Sequence, residues 1–307
     1  MTTTLVAMGY QDNWWAILTS PFMRNAVIGG TIVALAAGLI GYFIVVRQTA
    51  FAAHALAHIG LPGATGAVLL GIPPVVGLGV FCLGGAVVIG ALGKRATDRD
   101  VVTGTTLAFA TGLGLFFNSM ATKSSNTMTN VLFGNLLAIS TDQLLTFAGL
   151  LLVLALSVGA MYRPLLYSSI NPPVAEAKGI PVRTLSIVFM LLLALAVTMA
   201  VQAVGTLLLF ALLITPAATA IMLTPRPVVA MVVSAAVSLL AVWTGLIASA
   251  MFDMPPSFLI VTIACGIWLA VWALTHYARR MTQPDRRAAV STSSVPTTSG
   301  TQAAPTV

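Results

Sequence analysis

Long, unbroken apolar runs constrain this chain more than any other feature. A helix needs about 20 apolar residues to cross a hydrocarbon core of about 30 Å. Nine runs approach that length, near 26–46, 49–71, 74–93, 102–120, 143–161, 184–202, 205–223, 228–251 and 257–276. Gly and Pro breaks in some of them leave eight as the alternative count. A transmembrane barrel would alternate apolar and polar residues along each strand, and these runs do not. The expected fold is therefore an all-α integral membrane protein, a polytopic bundle of about 8–9 transmembrane helices lying in the lipid bilayer.

Composition agrees. Of 307 residues, 58% are hydrophobic and only 7% charged, where about 25% charged is ordinary for a soluble domain. Mean hydropathy is +1.01. A charged coat cannot be built from 14 basic and 7 acidic residues, which excludes an ordinary globular enzyme. The net charge of +7 does not mark a nucleic-acid partner, because the basic residues are scattered through short loops. With the C-terminus inside, 12 of the 14 basic residues fall on the inner side, and only Arg24 and Lys123 fall outside. The positive-inside rule then gives an N-out, C-in, multi-pass protein of the cell membrane with a cytoplasmic C-terminus.

Three regions are expected: an interfacial segment over 1–20 with Trp14 and Trp15, a transmembrane domain over 21–280, and a disordered tail over 281–307 rich in Ser, Thr, Pro and Ala. The first 20 residues hold no Lys or Arg, so they lack the basic start of a signal peptide. Cys82 and Cys265 both lie in apolar runs and read as inert buried thiols. Two connections are long. The outer one, 121–142, has an apolar middle from Val131 to Ile139 that re-enters or lies on the surface. The inner one, 162–183, holds Asn171-Pro172-Pro173 as a helix start and Gly179 as a stop, which predicts one short cytoplasmic helix.

Ionisable residues within a membrane are functional candidates by default. All seven acids (Asp12, Asp98, Asp100, Asp142, Glu176, Asp253 and Asp285) fall in loops or at span ends. A proton relay is therefore disfavoured, and with it a stand-alone secondary transporter. His276 reads as an interface residue at the inner end of the last run. His54 and His58 lie inside the second run, and a spacing of four sets both on one helix face. Two neutral imidazoles on one face are metal-ligand chemistry, although each ring bonding a neighbouring helix is the plainer alternative. Pro62 and Gly63 follow one turn later and weaken or bend the helix. Ala55 stands where a zinc hydrolase of the HExxH type needs its Glu, which speaks against an intramembrane enzyme. Pro216 interrupts a later run after Thr215. No nucleotide motif is present: around Gly93-Lys94, Val88 and Arg95 stand where a phosphate loop needs Gly and Ser or Thr. The chain is not expected to be an enzyme, and ATP hydrolysis would belong to another chain.

Five stretches together resemble the membrane permease subunits of bacterial ABC importers for zinc, manganese and iron. They are PFMRNAVIGGTIVALAAGLIGYFIVVRQTAFAAHALAHIGLPG from Pro21, VLFGNLLAIS from Val131, YRPLL from Tyr162 with VAEAKGIPV from Val174, VGTLLLFALLITPAATA from Val204, and DMPPS from Asp253. The resemblance runs from Pro21 to Tyr277. It implies a homodimer with a second copy of the chain, a separate ATPase subunit that binds ATP, and an extracytoplasmic metal-binding protein. It also implies that the short inner helix is a coupling helix, with Val174, Ala175, Glu176, Ala177, Lys178 and Gly179 in or beside the ATPase contact. The family commonly carries an acid four positions before a pathway histidine. Here the histidine is His58, and His54 occupies the acid's place. A second imidazole is softer than a carboxylate and favours zinc as the transported ion, with manganese or iron as the alternative. Four imidazoles from two chains would suit tetrahedral zinc.

Overall fold

The computed structural model describes residues 14–92, 96–120, 124–206 and 209–282. Most of the expected tail, from 283 on, lies outside the described residues, as do the first 13 residues, Gly93 to Arg95 and Lys123. Among the described residues every long element is helical. A short helix, α1 (Trp14–Leu18), precedes α2 (Pro21–Val46), α3 (Ala50–Leu69), α4 (Pro74–Leu92) and α5 (Ala96–Met120). Then come α6 (Ser124–Phe133), a 3-10 turn at Leu136–Ala138, α7 (Thr141–Ala160), α8 (Tyr162–Ile170), α9 (Pro172–Ala177) and α10 (Val182–Val204). The chain ends with α11 (Leu209–Leu213), α12 (Thr215–Leu223), α13 (Pro227–Phe252) and α14 (Pro256–Thr282).

Local chemistry sets the boundaries. Proline is the first residue of α2, α4, α13 and α14, where its missing N–H is no loss. At α7, Ser140 Oγ accepts the Gln143 N–H at 3.3 Å while Gln143 Oε1 accepts the Ser140 N–H at 3.0 Å, a complete capping box. Gln48, with φ of 53°, turns the chain sharply from α2 into α3.

Seven of these helices are long and apolar enough to cross a membrane: α2, α4, α5, α7, α10, α13 and α14. The protein is thus an all-α polytopic membrane protein. Two of the nine expected runs differ from a simple span. The 49–71 run forms α3, 20 residues and about 30 Å long, but its two histidines, Pro62 and glycines dilute its apolar character. The 205–223 run is not one helix. It breaks at Gly205 and again at Ile214, just before Pro216, leaving only the short α11 and α12. The inner connection also differs from expectation: it holds two short helices, α8 and α9, instead of one.

Helices α2 and α10 form the centre, with 67% and 72% of their most apolar stretch buried, against 11% for α14. Phe43 on α2 and Phe189 on α10 are fully buried and meet edge to face at 6.5 Å. Glycines let helices approach closely. A Cβ on Gly38 would overlap Ala235 of α13, and one on Gly30 would overlap Val242. Trp243 Nε1 donates to Thr31 Oγ1 at 3.0 Å across the same pair of helices.

Candidate metal pathway

The expected His pair is brought together as its spacing predicts. On α3 the rings of His54 and His58 lie 4.7 Å apart between centroids, at 73° to each other, and both residues are partly buried. His54 Nδ1 is buried and has no hydrogen-bond partner among the described residues. A buried polar nitrogen without a partner is uncommon in folded proteins and asks for a ligand or water. The ring of Phe210, on the broken segment α11, stands 6.4 Å from that of His54. The discontinuous element therefore borders the histidines.

Helix α3 is held firmly against α4. The Cys82 thiol donates to the Leu56 carbonyl at 3.2 Å. A Cβ on Gly60 would press on Leu78 and Cys82, and Gly63 and Gly77 face each other with no room for a Cβ on either backbone. This explains why Cys82 is buried and unpaired. Pro62 lies within the helix and has no N–H, so the His58 carbonyl loses its ordinary i+4 donor. The two imidazoles are the side chains here whose chemistry could hold a metal ion. They do not close its coordination sphere. Among the described residues no three His, Cys, Asp or Glu side chains gather in one place.

A second polar region was not foreseen. Between α4, α6, α7 and α10 lies a cavity of about 250 Å3 whose walls include the carboxamides of Asn130, Asn135, Gln143 and Gln202. Gln202 Oε1 is buried without a hydrogen-bond partner among the described residues. The cavity sits beside two helix breaks that dock on each other. Gly134 (φ +72°) and Gly205 (φ +88°) meet backbone to backbone. The Thr206 N–H donates to the Val131 carbonyl at 2.9 Å, and the Asn135 N–H to the Gln202 carbonyl at 3.2 Å. The apolar middle of the outer connection therefore turns into the protein, with Val131, Leu136 and Ile139 buried. The carboxamides carry no charge and no metal-ligand spacing, so nothing in the sequence marked them.

The proposed coupling residues lie on α9 and its C-terminal turn. Asn171 Oδ1 accepts the Val174 N–H at 3.3 Å and starts the helix. Gly179, with φ of +78°, ends it, and the Ile180 N–H returns to the Ala175 carbonyl at 3.1 Å. Ala175 anchors the turn inward, while Val174, Glu176, Ala177, Lys178 and Gly179 are exposed. The Lys178 ammonium sits 5.4 Å from the centroid of the Tyr167 ring.

Known proteins share both the sequence and this architecture. The chain is 32% identical over 255 residues to "Manganese transport system membrane protein MntC" of Halalkalibacterium halodurans, covering 82% of this chain and 87% of the relative. It is 34% identical over 249 residues to the protein of the same name from Listeria innocua, covering 80% and 88%. The solved structure "PsaBC from Streptococcus pneumoniae in complex with Fab" superposes with a TM-score of 0.75 at 28% identity, covering 89% of this chain and 95% of that one. The profile of the ABC 3 transport family matches residues 19–275, and the chain belongs to that family.

Proposed function

We propose that this chain is the membrane-spanning permease subunit of an ATP-driven importer of divalent transition-metal ions, with manganese as the leading cargo. One observation carries this: His54 and His58 face each other on a helix bordered by a broken segment, with a buried imidazole nitrogen left unpartnered. A divalent ion cannot cross the hydrocarbon core unaided. A site that exchanges water for imidazole lowers the barrier, and two ligands per chain hold the ion weakly enough for release. A second copy would bring a second His pair and complete the coordination. Residues Val174 to Gly179 would dock the ATPase subunit, whose cycle switches the dimer between outward-open and inward-open states, and an extracytoplasmic protein would deliver the metal.

Two relatives at 32% and 34% identity bear manganese transport names, which supports manganese over zinc. Zinc is favoured only by the softness of the imidazole at position 54. The deciding experiment measures manganese, zinc and iron in metal-limited cells for the wild type, a deletion strain and His58→Ala at equal expression. Loss of manganese alone in both mutants is expected, by about tenfold or more for a lost ligand. In that case His54→Asp, with its harder oxygen, retains uptake. Loss of zinc alone reassigns the cargo. Unchanged metal content, with no redundant importer present, overturns the proposal.

A further inference from the structure

At the end of the bundle that carries α8 and α9 lies a cavity of about 530 Å3, bounded by α2, α4, α5 and α10 as well. Its walls hold three guanidinium groups (Arg47, Arg99 and Arg183), the hydroxyls of Ser168 and Ser169, and one carboxylate, Glu176. Arg47 Nη1 donates to Ser168 Oγ at 3.2 Å and Ser169 Oγ at 3.1 Å, and its guanidinium lies 4.8 Å from the Phe189 ring centroid. Those partners are all neutral. Burial, and after it the charge of Arg99, brings the Arg47 pKa down to about 10, so the group stays cationic at neutral pH. Three positive charges facing one negative charge repel a metal dication. They suit an anion, and the guanidinium fork with adjacent hydroxyls matches phosphate oxygens.

A second feature lies on two of the same helices. Along α4 and α5 runs an apolar groove of about 530 Å3, lined among others by Phe81, Gly84, Val88, Phe109 and Leu113. Val80 and Phe109 are 61% and 72% exposed. A Cβ on Gly84 would meet nothing within 4 Å. On α4, Val88 of the groove is within one turn of Gly90 and Ala91 of the cavity; on α5, Arg99 of the cavity precedes Thr105 of the groove by under two turns. The charged cavity and the apolar groove thus lie in succession along the same helix pair.

We propose that this composite is a binding site for one anionic phospholipid, its phosphate held by Arg99, Arg183 and Arg47 with the serine hydroxyls and one acyl chain lying in the α4–α5 groove. The site is independent of the metal pathway, and its test reads no transport. Full-length protein purified in mild detergent is mixed with equal amounts of phosphatidylglycerol and phosphatidylcholine of identical chains, and retained lipid is identified by native mass spectrometry. The wild type is expected to retain one phosphatidylglycerol, preferred by about tenfold. Arg99→Gln with Arg183→Gln brings the two lipids to parity, while Arg99→Lys with Arg183→Lys keeps phosphatidylglycerol ahead. Gly84→Leu fills the groove and lowers retention of both lipids. Arg47 is left intact because its contacts with Ser168, Ser169 and Phe189 also hold helices together. Equal retention by the wild type overturns the proposal, as does a preference that survives the double glutamine variant. If inorganic phosphate abolishes the preference and Gly84→Leu leaves retention unchanged, the cavity takes a small free anion and the lipid site is refuted.

Discussion

His54 and His58 were legible because helix periodicity is a property of the sequence: residues four apart share a face, and the rings do meet. What the sequence hides at this scale is satisfaction. Nothing in HALAH tells that His54 Nδ1 lacks a partner, because that depends on helices distant in the chain. The carboxamides of Asn130, Asn135, Gln143 and Gln202 were missed for the same reason, being gathered from three helices and a turn. The titration of the pair has a definite sign. Only neutral imidazole binds metal, and protonation occurs below the ordinary His pKa of about 6.5. Uptake is therefore expected to be full at neutral pH and to fall on acidification below that ordinary value. Radiometal uptake by the reconstituted complex, with ATPase activity followed in parallel, checks this. Uptake that never falls on acidification while the ATPase stays active removes the histidines from the pathway.

At the scale of elements, apolar run lengths located the helices well, because burial in lipid demands continuous apolar surface. They did not reveal the break at Gly205, since hydropathy is blind to backbone conformation and a glycine inside an apolar run changes it little. The start and stop of α9 were readable from Asn171-Pro172-Pro173 and Gly179, whereas α8 was not, its tyrosines, serines and Pro164 resembling loop. The Gly134–Gly205 contact is where two broken elements lock together. Alanine at 205 would force a side chain into φ of +88° and into the backbone of Leu132 to Gly134. The conformation alone costs about 1–3 kcal/mol, and the overlap adds to it. Gly71 provides a control, with φ of +69° and nothing within 4 Å of its missing Cβ, so Gly71→Ala carries only the conformational cost of about 1–2 kcal/mol. Thermal unfolding in detergent is expected to place Gly205→Ala well below Gly71→Ala. Equal midpoints would mean that the two breaks do not depend on each other.

For the whole molecule, the order of burial was not legible. Runs as apolar as α14 and α10 end up with 11% and 72% of their most apolar stretch buried, because lipid and a protein core are equally apolar surroundings and select the same residues. Orientation rests instead on charge. The N-out, C-in expectation puts Arg47, Arg163, Lys178, Arg183 and Arg226 on the inner side, and α9 must face the cytoplasm if it meets an ATPase. Single cysteines test this directly. Lys178 is exposed on the α9 turn, and Met254, 42% exposed, lies in the opposite turn between α13 and α14. In a Cys265→Ser background, with Cys82 fully buried, a membrane-impermeant maleimide on intact cells is expected to label Met254→Cys and to reach Lys178→Cys only after permeabilisation. The reverse pattern would put Val174 to Gly179 outside the cell. No ATPase could then dock there, and the arginine cavity would face the wrong leaflet for the inner-side charge excess that defines it.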